Sequence, residues 1–148
     1  MTLDRSYVER NREGLERLRA LIARLSGEDF GRPVGRGWTV SASLAHLAFW
    51  DRRALANFET WEREGVQISP TEPNPINDGM LPEWLAMPGH EAAREALAAA
   101  EAVDLKVEQL APALIEQVMA QRSRTIVRAM HRGDHLDEIE RALSQPAP

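Results

Sequence analysis

The chain has no cysteine, and that absence excludes disulfides, thiolate metal ligands and a cysteine nucleophile together. Thiol chemistry would therefore need a thiol brought from outside. Positive charge is not in excess: 18 basic residues are dispersed among 23 acidic ones, for a net charge of -5. A nucleic-acid surface needs a basic field that displaces counterions, so no nucleic-acid partner is expected. No run approaches the roughly 20 apolar residues of a membrane span, and the N-terminal MTLDRSYVERNREG lacks the apolar stretch of a secretory signal. These features point to a soluble cytoplasmic protein with no membrane partner. Sustained period-two alternation bounded by hairpin turns is also missing, so no sheet is expected. Aromatics make up only 5% of residues, and the four tryptophans among them, Trp38, Trp50, Trp61 and Trp84, are expected to mark core or pocket walls.

What is present is helical patterning. Leu15, Leu18, Leu21, Ile22 and Leu25 recur at spacings of three and four, predicting a first helix over Leu3 to Leu25. SGEDFGRPVGRGW, rich in glycine and without periodicity, reads as a loop. Thr39 stands where its hydroxyl can accept from a free amide of a second helix, which runs to Glu64 and stops at Gly65. Between Gly65 and Pro88 five prolines and two glycines predict a long crossover loop, with one short helical turn over Leu81 to Met87. Ala, Glu and Leu dominate Gly89 to Leu110, the third helix. Pro112 opens a fourth that continues to Leu143, with a break near Gln121 to Ser123, before a frayed SQPAP tail. The length suits one domain spanning 1–148, all-α, a four-helix bundle with one long crossover between helices two and three.

Such bundles build metal sites in their cores from side chains on facing helices. His131 and His135 are four apart, so their rings lie about 40° apart on one helix face, one turn above each other. Val127 and Ile139 extend the same row at both ends, and His46 has Ala42 and Trp50 at the equivalent positions of helix two. All three histidines therefore sit in apolar rows. Burial disfavours imidazolium, and neutral imidazole is a metal ligand, so His46, His131 and His135 are candidate ligands for one divalent ion. The plain alternative is that each histidine hydrogen-bonds a neighbour in the core or lies at the bundle edge. Asp51, Glu59, Asp134 and Glu138 are carboxylates that could add a ligand or act as bases. Glu138, three residues beyond His135, is the best placed and is the candidate catalytic group. Trp50, Asn77 and Trp84 are candidate pocket residues, with Asn74 and Asp78 in the same crossover. His90, at a helix start, reads as a capping or exposed residue.

GWTVSASLAHLAFWDRRAL, read with HRGDHLDEIERAL near the C-terminus, resembles the DinB-like superfamily of four-helix-bundle metalloproteins. That group includes damage-inducible proteins and thiol-dependent enzymes such as mycothiol-dependent maleylpyruvate isomerase. The likeness runs in order over nearly the whole chain. It implies His46, His131 and His135 as the three ligands of zinc or nickel, and a homodimer. It also implies a reaction in which a low-molecular-weight thiol, or water, attacks an electrophilic small molecule. The competing expectation is a non-catalytic small-molecule-binding or stress-response protein whose metal is structural or absent. Gly133, between the two C-terminal histidines, costs a helix interior roughly 1 kcal/mol relative to alanine, and either permits a close helix approach or is merely tolerated.

Overall fold

A computed structural model describes residues 4–146, and the chain is all-α apart from one small ribbon. Helix α1 spans Ser6–Ala23, α2 Val40–Glu64, α3 Pro73–Ala86, α4 Gly89–Gln109, α5 Pro112–Ile126 and α6 Arg128–Ser144. Leu3, the expected start of the first helix, lies outside the described residues, as do the last two residues of the SQPAP tail. α1 packs on α4 and α6, and α2 packs on the same two, while α5 adds Ile115 and Ile126 to the core. Thr39 caps α2 as its position predicts, its hydroxyl accepting from Ala42 N–H at 3.1 Å. Gly65, at φ 92°, ends it in a conformation that a side chain would oppose.

Three expectations are corrected. The crossover is not a loop with one turn but carries α3, a 14-residue helix. Pro73 and Pro75 fall in its first turn, where an amide has no acceptor to lose, and only Pro82 removes an interior donor. The buried indole of Trp84 fastens α3 to the core, supplying packing that outweighs its poor helix propensity. A sheet does exist: β1 (Pro33–Gly35) and β2 (Trp38–Thr39) pair antiparallel. Two strands this short leave almost no alternation to detect. Their turn places Gly35, Arg36 and Gly37 at φ 105°, 58° and 79°, so Arg36 holds a left-handed conformation unusual for a non-glycine residue. Finally, the expected fourth helix is divided. Arg122 is non-helical inside α5 (φ -158°, ψ 86°), near the expected break, but the chain also leaves the helix at Val127 (φ -85°, ψ 77°), so α6 is a separate element.

The core has two apolar parts. One gathers Leu18, Leu21, Leu44, Leu47, Leu136 and Ile139, and the other Phe58, Val103, Val107, Ile115 and Ile126. Between them runs a buried polar layer to which α1, α2, α4 and α6 each contribute. Arg132, 1% exposed, donates to both carboxylate oxygens of Asp104 at 3.0 and 3.1 Å and to Asp51 at 3.4 Å. Arg128 donates to Asp51 at 3.0 Å. Asn11 joins the layer to the α5–α6 junction, donating to Ile126 C=O and accepting from Ala129 N–H, each at 3.0 Å. Burial pushes the Asp104 carboxyl up and Arg132 opposes it, while Asp51 and Asp104 together outweigh burial at Arg132 and raise its pKa.

Glycine marks one close helix contact, but not the one the sequence singles out. A Cβ on Gly14 would stand 2.8 Å from that of Ala129, so α1 and α6 approach there. At Gly133 the nearest atom is Arg17 Nη1 at 3.8 Å, ordinary contact with a flexible side chain. Gly133→Ala is therefore expected to stabilise the protein by up to about 1 kcal/mol, through helix propensity alone. Urea denaturation measures this, and a lower midpoint would show that the position serves some other purpose.

Candidate metal centre

α2 delivers His46 and α6 delivers His131 and His135 to one point. One ring nitrogen from each lies within 4.8 Å of the other two. The tightest approach is His46 Nε2 to His131 Nε2, 3.0 Å, and the three ring centroids are 4.4, 4.9 and 5.0 Å apart. Two imidazole nitrogens on one tetrahedral or octahedral ion, each about 2.0–2.1 Å from it, stand about 3–3.4 Å apart, so this approach suits a shared cation. His46 Nδ1 and His135 Nδ1 are buried with no hydrogen-bond partner, among the few such atoms of the described residues. The nitrogen that His46 and His131 turn to each other is Nε2, the one a shared cation would take, so it is the convergence, and not the Nδ1 atoms, that points to an ion. The donor set fits a divalent ion.

Electrostatics favour the neutral, ligating form. Burial drives His46 down to about 3, with proximity to His135 and Arg36 acting the same way and Asn77 opposing. His131 falls to about 2, again chiefly through burial, with the two other histidines next. Burial also lowers His135, against the pull of Glu138. Three imidazoles this close and this dry have shed their protons well below neutrality, so no proton competes with a metal near neutral pH.

Aromatic rings brace the triad. Trp38 stacks parallel to His135 (6.2 Å, 6°) and meets His46 edge-on at 4.9 Å. Trp84 meets His46 edge-on from behind at 5.1 Å. Glu138 Oε1 stands 3.8 Å from His135 Nδ1, and its other oxygen accepts from Arg36 at 3.0 Å. The left-handed turn that carries Arg36 thus joins the ribbon to the triad, a contact absent from the sequence reading. Its signal was the Gly-Arg-Gly run, legible as a turn and silent about what the arginine reaches.

The triad opens on a cavity of about 730 Å³ between α2, the crossover and the α5–α6 junction. Trp50 and Asn77 line it and are joined by a 2.8 Å hydrogen bond from the indole N–H to the amide oxygen, which ties α3 to α2. Asn74 and Asp78 also line it. Trp84 does not: it is 2% exposed and borders a smaller cavity on the far side of α3. Of the four carboxylates, Glu138 alone is at the triad. Asp51 belongs to the buried arginine layer, Asp134 is exposed and paired with Arg124 at 2.7 Å, and Glu59 is exposed. His90 is exposed against Phe30, away from the triad. The residues that sequence reasoning missed are Asn11, Asp104, Arg128 and Arg132. Their trace was faint: two arginines four apart on the helix that carries the histidines, amid buried apolar positions.

An all-α fold with three convergent histidines, one buried and two part-buried, at the floor of a cavity defines a class of helical proteins able to hold a divalent ion. The family description "DinB superfamily" matches residues 10–142, and the chain belongs to that superfamily. Comparison with curated proteins and with solved structures gave no match. Among the described residues no helix is long and apolar enough to cross a membrane.

Proposed function

We propose that this protein is a four-helix-bundle enzyme of the DinB superfamily in which His46, His131 and His135 hold one divalent ion, zinc or nickel. Its reaction joins a small thiol, or water, to an electrophilic small molecule. The observation that carries this reading is the convergence of three neutral ring nitrogens within 4.8 Å at the floor of a cavity of about 730 Å³. When bound, such an ion supplies Lewis acidity that lowers the pKa of water or of an incoming thiol. The chain's own residues do the rest. Trp38 and Trp84 hold the imidazole planes, Glu138 orients His135, and Trp50 with Asn77 keeps α3 over the cavity. With no cysteine in the chain, a thiol nucleophile is a second substrate. The reading includes a homodimer and a small-molecule partner, with neither nucleic acid nor membrane.

The cavity volume also supports a second reading, a non-catalytic protein that stores or senses a small molecule. One experiment separates the two. Protein purified without a histidine tag is analysed for metal, then assayed with thiols against a panel of electrophiles, alongside His135→Ala. About one ion per chain and a rate lost in the variant are expected. Less than about a tenth of an ion per chain, unrestored by zinc or nickel, removes the metal reading. Equal rates, or none, in the two proteins leave only the binding protein.

A further inference from the structure

The cavity is larger than a nucleophile and a reacting carbon require, and it has a direction. On α2 its wall is His46, Trp50, Arg53, Asn57 and Trp61, a stripe at spacings of three and four. At 1.5 Å per residue this stripe is roughly 22 Å long, with Arg53 about 10 Å along the axis from His46. The opposite wall runs back along α6 from Glu138 through His135 and His131 to Arg128, and then to Arg124 and Arg122 of α5. The extended backbone at Arg122, which interrupts α5, belongs to this wall. The space is therefore a trough with the histidines at one end.

Charge is distributed along it unevenly. Five arginines line the trough against two carboxylates, Glu138 and Asp78, in a chain whose net charge is -5. Three of the five are matched: Arg36 by Glu138, Arg124 by Asp134 and Arg128 by Asp51. Arg53 and Arg122 have no carboxylate partner among the described residues, and Arg53 lies near the middle of the α2 stripe. Arg53 is half-buried, held over the Trp50 ring at 5.3 Å and donating from Nη2 to the Thr71 hydroxyl at 3.2 Å. The cation–π contact and that one bond restrain the guanidinium and leave most of its five N–H donors free. A half-buried, preoriented guanidinium without a counter-ion favours an anion, and low-dielectric walls strengthen the attraction.

We infer that the trough beyond Trp50 binds the oxyanion group, carboxylate or phosphate, of an elongated small molecule, with Arg53, near mid-trough, as principal donor and Arg122 as the second cation. The proposed function enters only in assigning the molecule's reacting end to the histidines; the oxyanion site stands on the arginines. Trp50 lies between the histidines and Arg53 and offers the intervening body of the ligand an apolar contact, while Asn57 and Trp61 continue the wall beyond Arg53.

The test is calorimetric titration of octanoate, octyl phosphate and uncharged octanamide into the full chain, as purified and again after chelation. At least one anion is expected to bind wild type about tenfold or more tighter than octanamide, with the advantage shrinking at high salt. Arg53→Gln is expected to lose that advantage and Arg53→Lys to keep part of it. Whichever anion binds tighter identifies the oxyanion. Octanamide binding as well as both anions, no anion binding at millimolar concentration, or an undiminished preference in Arg53→Gln overturns the proposal. Should Arg53→Gln fail to fold, Arg122→Gln, an exposed position, is expected to weaken the preference in its place. Metal content of the same preparations keeps the two readings apart. Anion preference without metal uptake leaves the oxyanion site standing and removes the metal; metal uptake without anion preference does the reverse.

Discussion

Arg132→Met is expected to lower the unfolding free energy by about 3–5 kcal/mol, a large share of the 5–15 kcal/mol of a typical domain. The cause is not the lost attraction alone. Asp104, 5% exposed, takes both of its guanidinium bonds from Arg132, and Asp51, 3% exposed, would keep only Arg128. Removing the shared arginine strands a buried carboxylate on α4, which must then either ionise without a partner or take up a proton. The cost therefore belongs to the charge left behind, and removing that charge as well should relieve it. Arg132→Met with Asp104→Leu is expected to recover most of the loss, because an apolar pair of similar volume suits a dry layer. Urea unfolding of wild type and the two variants measures both steps. A single-variant cost below about 1 kcal/mol would mean that water reaches the layer, contrary to its burial. The layer lies between two apolar clusters and draws on four helices, so it also fixes their axial register: sliding one helix by a turn would separate Asp51 or Asp104 from its arginine.

His131→Ala is expected to weaken zinc or nickel binding by more than the roughly 10–100-fold that follows loss of a residue that merely orients a ligand. The ring lies 3.0 Å from His46 at Nε2, and two histidines alone form a much poorer cage than three. Glu138→Gln is the internal comparison. It leaves the three ligands intact and removes only the carboxylate charge that faces His135 Nδ1 at 3.8 Å and pairs with Arg36 at 3.0 Å, so its loss should be about tenfold. Binding also reads out as stability: metal at one hundred times its Kd adds about 2.7 kcal/mol, on the order of 5–10 °C in Tm for a domain of this size. That rise is expected in wild type, reduced in Glu138→Gln, and absent in His131→Ala at the same metal concentration. An equal rise in wild type and His131→Ala would place the ion elsewhere.

The sequence carried these features to different depths. The helix start at Thr39 and its stop at Gly65 were legible because a cap and a positive-φ glycine act within a few residues of backbone. So was the shared face of His131 and His135, which follows from 3.6 residues per turn and needs no knowledge of the rest of the chain. α3 was not legible, since prolines read as breakers until their positions in the first turn are known, and since Trp84 holds the helix only by packing on other elements. The β1–β2 ribbon was too short to alternate, and its turn residue Arg36 gave no hint of the 102-residue reach to Glu138.

By itself, then, the sequence determined the helices at their caps and stops, the apolar rows around each histidine, and the exclusion of any thiolate of the chain's own. Only the tertiary structure decided that His46 meets a pair 85 residues away, that Asp51 neutralises buried arginines instead of facing the cavity, and that Arg53 has no counter-ion among the described residues. The division has one physical cause. Caps and helical periodicity are set by neighbours within a turn or two, whereas burial, ion pairing and ligand geometry depend on which helices pack together, and that choice is made by the whole core.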